Sequence, residues 1–214
     1  MSLLRLRISI SLDGFVAGPQ QSVQNPLGIG GNRLHDWAFA TATFRREHGL
    51  GGGDTGPSDD VAAASLENIG ATIMGRNMFG GHPGDWDPVE PWNGWWGSNP
   101  PFHHSVFVIT HHSREPLGME RGTSFHFITD GIESALEQAR RAARGQDISL
   151  SGGADVARQY LKAGLVDEMW LHQVPTLLGA GERLFEGVGD DLRGLKLVQT
   201  VATPQVTHLK FARR

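Results

Sequence analysis

The 214-residue chain contains no cysteine. That excludes disulfides and thiolate zinc sites. Basic charge is not in excess either: 19 Lys and Arg stand against 23 Asp and Glu, for a formal net charge of −4. The clustered basic stripe that a duplex nucleic acid would need is missing. No apolar run approaches the roughly 20 residues of a membrane span. The opening MSLLRLRISISLDG lacks a signal-peptide core, because its apolar residues alternate with arginine and serine. These absences lead us to expect a cytoplasmic protein with neither nucleic acid nor membrane as partner.

What is present suffices for a packed core. Hydrophobic residues make up 39% and charged residues 20%, and the length suits one domain spanning 1–214. Leu4, Leu6, Ile8, Ile10 and Leu12 alternate with Arg5, Arg7, Ser9 and Ser11, which predicts a strand from near Leu3. RLHDWAFATATFRRE, after a candidate cap at Asn32, predicts a single helix. VAAASLENIG predicts another, capped by Ser58 or Asp59 and ended by Gly70. ATIMG, SVFVIT, SFHFIT, DISLSGG and VDEMWLHQVPTLLG read as strands, the last with Pro175 at a bulge or edge. RNMFG opens a short helix, and DGIESALEQARRAARG is a longer one capped by Asp130. The tail LKLVQTVATPQVTHLKFARR reads as a hairpin. Strands alternating with helices imply an α/β class with parallel pairing, and the closing antiparallel hairpin makes the sheet mixed. Residues 81–103, carrying Trp86, Trp92, Trp95 and Trp96, form a loop long enough to imply a function or a packing lid.

The chemical signals sit at predicted strand ends. Gly152 and Gly153 join a strand to the helix that begins with Ala154 and Asp155. Read from the residues alone, they serve either a tight turn or a phosphate resting on bare backbone amides at a helix N-terminus. Gly75 and Arg76 follow a second strand, where an arginine can fork onto a phosphate or join a surface ion pair. Thr110 ends a third, followed by His111, His112, Ser113 and Arg114. Adjacent histidines on a strand point to opposite faces, so they chelate one ion poorly and no metal site is expected. Asp13 and Asp36 are the candidate acids, either as proton donors or as turn-forming and solvated carboxylates. Gly179 and Gly181 are either a chain-reversing loop or a close backbone wall for a flat ligand, on which tryptophans stack.

Taken together, ISISLDGFVAG, TIMGRNMF, VFVIT and SLSGGADVARQYLKAGLVDEMWLHQVPTLLGAGERLF, followed by the hairpin, resemble the dihydrofolate reductase-like superfamily. The likeness is nearer to the reductase domain of riboflavin-biosynthesis proteins (the RibD C-terminal domain) and its stand-alone relatives, and it spans nearly the whole chain. The resemblance implies a three-layer α/β/α fold with a mixed, mostly parallel sheet, NADPH as cofactor, a small flat heterocyclic substrate and a homodimer. It implies Gly152, Gly153, Ala154 and Asp155 at the cofactor pyrophosphate. Gly75, Arg76, Thr110 and Arg114 fall at the 2′-phosphoribose, and Ser9, Val16 and Ala17 near the nicotinamide. Asp36 matches the helical acid of dihydrofolate reductases, beside Trp37 as a substrate contact with Gly179 and Gly181. Met78 departs from the threonine common in relatives, His111 and His112 from the usual basic residue, and the Trp-rich loop is longer than usual. A flavin- or deazaflavin-dependent oxidoreductase and a non-catalytic redox sensor are the alternatives.

Overall fold

A computed structural model describes residues 2–190 and 192–213. Eleven strands and six α-helices follow one another as β1 Leu4–Ser11, β2 Phe15–Ala17, α1 Asp36–Ala40, α2 Ala42–Glu47, α3 Pro57–Leu66, β3 Ile69–Gly75, α4 Arg76–Phe79, β4 Ser105–Ile109, β5 Leu117–Gly118, β6 Ser124–Ile128, α5 Ile132–Ala143, β7 Asp147–Leu150, α6 Ala154–Lys162, β8 Glu168–Val174, β9 Glu182–Arg183, β10 Leu195–Ala202 and β11 Thr207–Arg213. Nine strands form one sheet in the order β10-β11-β8-β1-β7-β3-β4-β6-β5. The five central pairings, β8/β1, β1/β7, β7/β3, β3/β4 and β4/β6, are parallel. The C-terminal hairpin and β5 close the two edges antiparallel. A separate two-stranded sheet joins β2 to β9. The expected mixed, mostly parallel sheet with a terminal hairpin is what the chain adopts. Among the described residues no helix is long and apolar enough to cross a membrane.

Period-two patterning decides what lies on each side of the sheet. Leu4, Leu6, Ile10, Ala71, Ile73, Ile148, Leu150, Met169 and Leu171 meet Leu136, Ala139, Val156 and Tyr160 of α5 and α6 in the largest core cluster. The opposite face carries two smaller ones. Leu34, Trp37, Val174 and Val206 cluster beneath α1. Met74, Phe79, Val106, Val108 and Phe125 are covered by Trp86, Trp92 and Trp96 of the long loop. Between these two patches the alternate residues are polar: Arg7 and Ser9 on β1, Ser149 on β7, Thr72 on β3.

Several local expectations are corrected. The helix foreseen over RLHDWAFATATFRRE is a 3-10 turn, Gly31–Leu34, followed by two short helices that break at Thr41. Thr41 is extended, φ −68 and ψ 145, and its hydroxyl accepts from the Phe44 amide to start α2. A threonine side chain competes for backbone groups in this way, which makes it a better cap than helix interior. Asn32 therefore lies inside the 3-10 turn and does not cap. Pro57 opens α3 after Gly56, so Ser58 and Asp59 lie inside its first turn instead of capping it. Gly70 belongs to β3 and does not end that helix. Gly131, not Asp130, holds the cap position of α5, and Asp130 accepts from the Ser134 hydroxyl. β8 stops at Val174, so Pro175 follows the strand rather than bulging it.

Candidate active site

The carboxyl ends of β1, β7 and β3 lie side by side, and the two glycine turns meet there. The Gly75 amide donates to the Gly152 carbonyl at 2.7 Å. A side chain at Gly75 would strike Val156 of α6 at 2.8 Å, so that glycine lets the helix approach the strand. Gly152 has φ +104, a backbone region closed to most L-residues. The Gly152–Gly153 peptide bond is cis. Gly153 differs from its neighbour: it is extended, φ −69 and ψ −168, and a Cβ there would meet nothing within 4 Å. Among the described residues the amides of Gly152, Gly153, Ala154 and Asp155 donate to no carbonyl or side chain. The Asp155 carboxylate turns along the helix, 3.4 Å from Arg158 and 2.7 Å from the Gln159 amide. This junction is a cluster of unspent N–H donors at the start of a nine-residue helix.

The arginine end is built differently. Arg76 donates to the carbonyls of Gly80 and His82 and stacks 3.6 Å above the Trp86 ring. Its Nε is buried without a partner among the described residues. Arg114 donates to the Trp92 carbonyl and Asn93 Oδ1, both at 2.6 Å, and lies 5.0 Å from the same Trp86 ring. Burial lowers the pKa of both, and Arg114 lowers that of Arg76 further. Neither is in a salt bridge with a carboxylate among the described residues. Thr110 is buried at the end of β4, its hydroxyl accepting from the His112 amide. The Trp-rich loop is a packed lid: indole N–H groups of Trp86, Trp92 and Trp95 donate to His112, Phe79 and Met78 carbonyls. Gly80 and Gly81 make room for it, since a Cβ at either would strike Trp95 at 2.4 Å or Trp92 at 2.9 Å. A cavity of about 330 Å³ lies between this corner and Gln21–Pro26.

The remaining sequence-predicted residues fall in two groups. Ser9 and Trp37 are joined, the indole donating to Ser9 Oγ at 3.1 Å. Trp37 and the exposed Asp36 line a second cavity of about 840 Å³ with Ser58, Val174 and Gln205. Val16 and Ala17 are buried in β2. Gly181 serves that contact: a Cβ there would lie 2.0 Å from the Ala17 carbonyl oxygen. Asp13 holds the Leu178 and Gly179 amides at 3.2 and 2.7 Å. The Ser11 hydroxyl, then those amides, lower its pKa to about 2. Such a carboxylate is an acceptor that ties loops together and has no proton to give at neutral pH.

Sequence reasoning missed Arg7. It projects from β1 onto the polar stripe, where its guanidinium donates to Ser65 Oγ at 3.0 Å and meets no carboxylate among the described residues. Burial, then the charge of Arg5, lowers its pKa to about 10. Its neighbour in register on β8 is Trp170, whose indole N–H is buried without a partner. Arg5, by contrast, is spent on Glu168 and Asp147. The signal was present in the sequence: an arginine in the middle of an alternating strand must face whatever the apolar face does not.

A mostly parallel sheet whose β7 end opens onto unpartnered amides, beside a polar stripe, places anion-accepting groups where open α/β sheets take their ligands. The RibD C-terminal domain family matches residues 3–209, and the chain belongs to that family. Its sequence is similar to two uncharacterised Bacillus subtilis (strain 168) proteins. YwjB is 24% identical over 97% of this chain and 96% of its own length, and YyaP 25% over 91% and 86%. Among solved structures it is similar to a candidate riboflavin biosynthesis protein from Shewanella sp. PV-4, with TM-score 0.58, 18% identity and 99% of both chains covered. The Thermotoga maritima diaminohydroxyphosphoribosylaminopyrimidine deaminase/5-amino-6-(5-phosphoribosylamino)uracil reductase gives 0.55 and 12%, with all of this chain and 57% of that one covered. Dihydrofolate reductase from Enterococcus faecalis, complexed with NADP(H), gives 0.52 and 12%, over 99% of this chain and 96% of that one. These likenesses establish the dihydrofolate reductase-like fold.

Proposed function

We propose that the chain is an NADPH-dependent reductase that passes hydride to a small flat heterocycle of the pterin or riboflavin-precursor kind. Gly153 carries the reading. Gly152 has a positive φ that calls for glycine, whereas Gly153 has a negative φ, and beyond its chain neighbours nothing lies within 4 Å of where its Cβ would stand. A diphosphate lying on the free amides of 152–155 supplies a reason for a glycine at 153.

The cofactor fits the residues at both ends. Gly152, Gly153, Ala154 and Asp155 would hold the pyrophosphate by their N–H groups. Arg76 and Arg114 would meet a 2′-phosphate with positive charge that no carboxylate among the described residues pairs with. Gly75 and Thr110 would shape that end, and Ser9, Val16 and Ala17 would flank the nicotinamide. When bound, the nicotinamide supplies the hydride. The chain's own part is alignment and the exclusion of water. Arg7 offers N–H donors to an acceptor-rich edge of the substrate, Trp37 is held to Ser9 on the same strand, and Asp36 lines the larger cavity with Trp37. Gly179 and Gly181 act through the loop they fix. The homodimer implied by the resemblance belongs to the same proposal.

The test is titration with NADPH, followed by its oxidation in the presence of dihydrofolate or a riboflavin-precursor pyrimidine. Saturable binding with turnover of one acceptor is expected. Absence of binding to any dinucleotide contradicts the reading.

A further inference from the structure

Two buried histidines face the same side of the sheet as Arg7 and Ser9. β11 pairs with β8 so that His208 lies opposite His172. Their Nδ1 atoms are 2.8 Å apart, with His172 3% exposed and His208 0%. Two bare lone pairs cannot meet at that distance, so one ring carries the proton between them. Beyond the pair, His208 Nε2 lies 3.0 Å from Ser58 Oγ, and Ser58 lines the cavity of about 840 Å³ with Asp36, Asp54 and Asp59. At the other end His172 is in register with Ser9. Its Nε2 has no hydrogen-bond partner among the described residues and is not one of the sealed, unpartnered atoms. Trp37 packs on both rings, at 4.6 and 4.7 Å between centroids, and is itself pinned to Ser9.

We infer that Ser58, His208 and His172 form a proton relay from the acid-lined cavity to the polar stripe, where His172 Nε2 delivers the proton that accompanies hydride transfer. The inference rests on the reductase reading. In the starting state Ser58 donates to His208 Nε2, His208 Nδ1–H donates to His172 Nδ1, and His172 carries its proton on Nε2. The Nε2–H bond of His172 breaks as the substrate takes that proton. In the same concerted shift the proton on His208 Nδ1 passes to His172 Nδ1 and the Ser58 proton passes to His208 Nε2. Water in the cavity returns a proton to Ser58, and after the product leaves the shift runs in reverse, a water at the polar stripe giving a proton to His172 Nε2 and Ser58 releasing one to the cavity, which restores the starting tautomers. Each ring gives one proton and takes one, so neither gains charge. That suits their surroundings. Burial, then the charges of His208, Arg7 and His35, holds the pKa of His172 well down, and burial lowers that of His208 to about 4. His172 is the catalytic residue, since it touches the substrate. His208 and Ser58 act through it.

The relay is tested without turnover by nitrogen-15 NMR of histidine-labelled protein at pH 7. The expected pattern is two neutral rings, with a proton shared between the Nδ1 atoms and residing on His208. Exchange of that proton with solvent should slow at least about tenfold in Ser58→Ala and recover in Ser58→Thr, which keeps the hydroxyl. Exchange within about twofold of wild type in Ser58→Ala overturns the relay, as does a doubly protonated ring. A protein that binds no dinucleotide would sink the reductase reading instead, while the exchange rates still decide whether the relay exists.

Discussion

The two halves of the proposed cofactor site are built from opposite materials. At the Gly152–Gly153 turn the binding groups are backbone amides, fixed by strand, turn and helix and without a partner among the described residues. At the Arg76–Arg114 corner they are long side chains already engaged by carbonyls of the Trp-rich loop and by the face of Trp86. The first half is preorganised and pays little to bind an anion. The second must share its donors between the lid and a phosphate. The diphosphate end is therefore expected to dominate affinity, and the arginine end to set the preference between NADPH and NADH.

The largest effect should come from filling the first half. Beyond its chain neighbours a Cβ at 153 meets nothing within 4 Å, and the melting temperature of Gly153→Val, measured beside the binding, separates a lost fold from a lost site. A side chain over the amides should weaken NADPH and NADH alike by about 100-fold in calorimetry, roughly 3 kcal/mol. Unchanged affinity would reduce the glycine pair to a turn. A smaller effect is expected at the second half. Arg76→Ala should weaken NADPH about tenfold more than NADH, an energy of about 1.4 kcal/mol. Equal loss for the two nucleotides would assign Arg76 to the lid alone.

The contrast also explains what was legible in the sequence. The glycine turn could be read because backbone geometry is written locally, in Ser151 to Asp155 and the helix after them. The strand order was legible in outline, because period-two runs separated by helices leave few topologies. The lid role of the tryptophans was legible only as one of two alternatives: three of their indoles bind carbonyls at Phe79, Met78 and His112, contacts that only the folded chain brings together. Asp13 illustrates the same limit, since its partners Leu178 and Gly179 lie more than 160 positions away in sequence. Thr41 broke an expected helix because a side-chain hydroxyl outcompeted the apolar pattern. Arg7 was visible in the alternation, yet its importance depends on which strands surround β1.

The smallest expected effect concerns stability. His172 and His208 are buried neutral, with pKa values below the usual 6.5 and that of His208 at about 4. Unfolded chain binds more protons than folded chain between those values, so their contribution is full above about pH 6.5 and lost as pH falls towards 4. The melting temperature should drop by roughly 5 °C or more from pH 7 to pH 5. His208→Gln should flatten that dependence, and an unchanged slope would remove the pair from the titration.

The central claim is that free amides at residues 152–155 hold the cofactor diphosphate. Amide nitrogen-15 NMR during NADPH titration tests it most directly. The largest saturable shifts are expected at Gly152, Gly153, Ala154 and Asp155. Saturable binding that leaves those four amides unmoved would contradict the account.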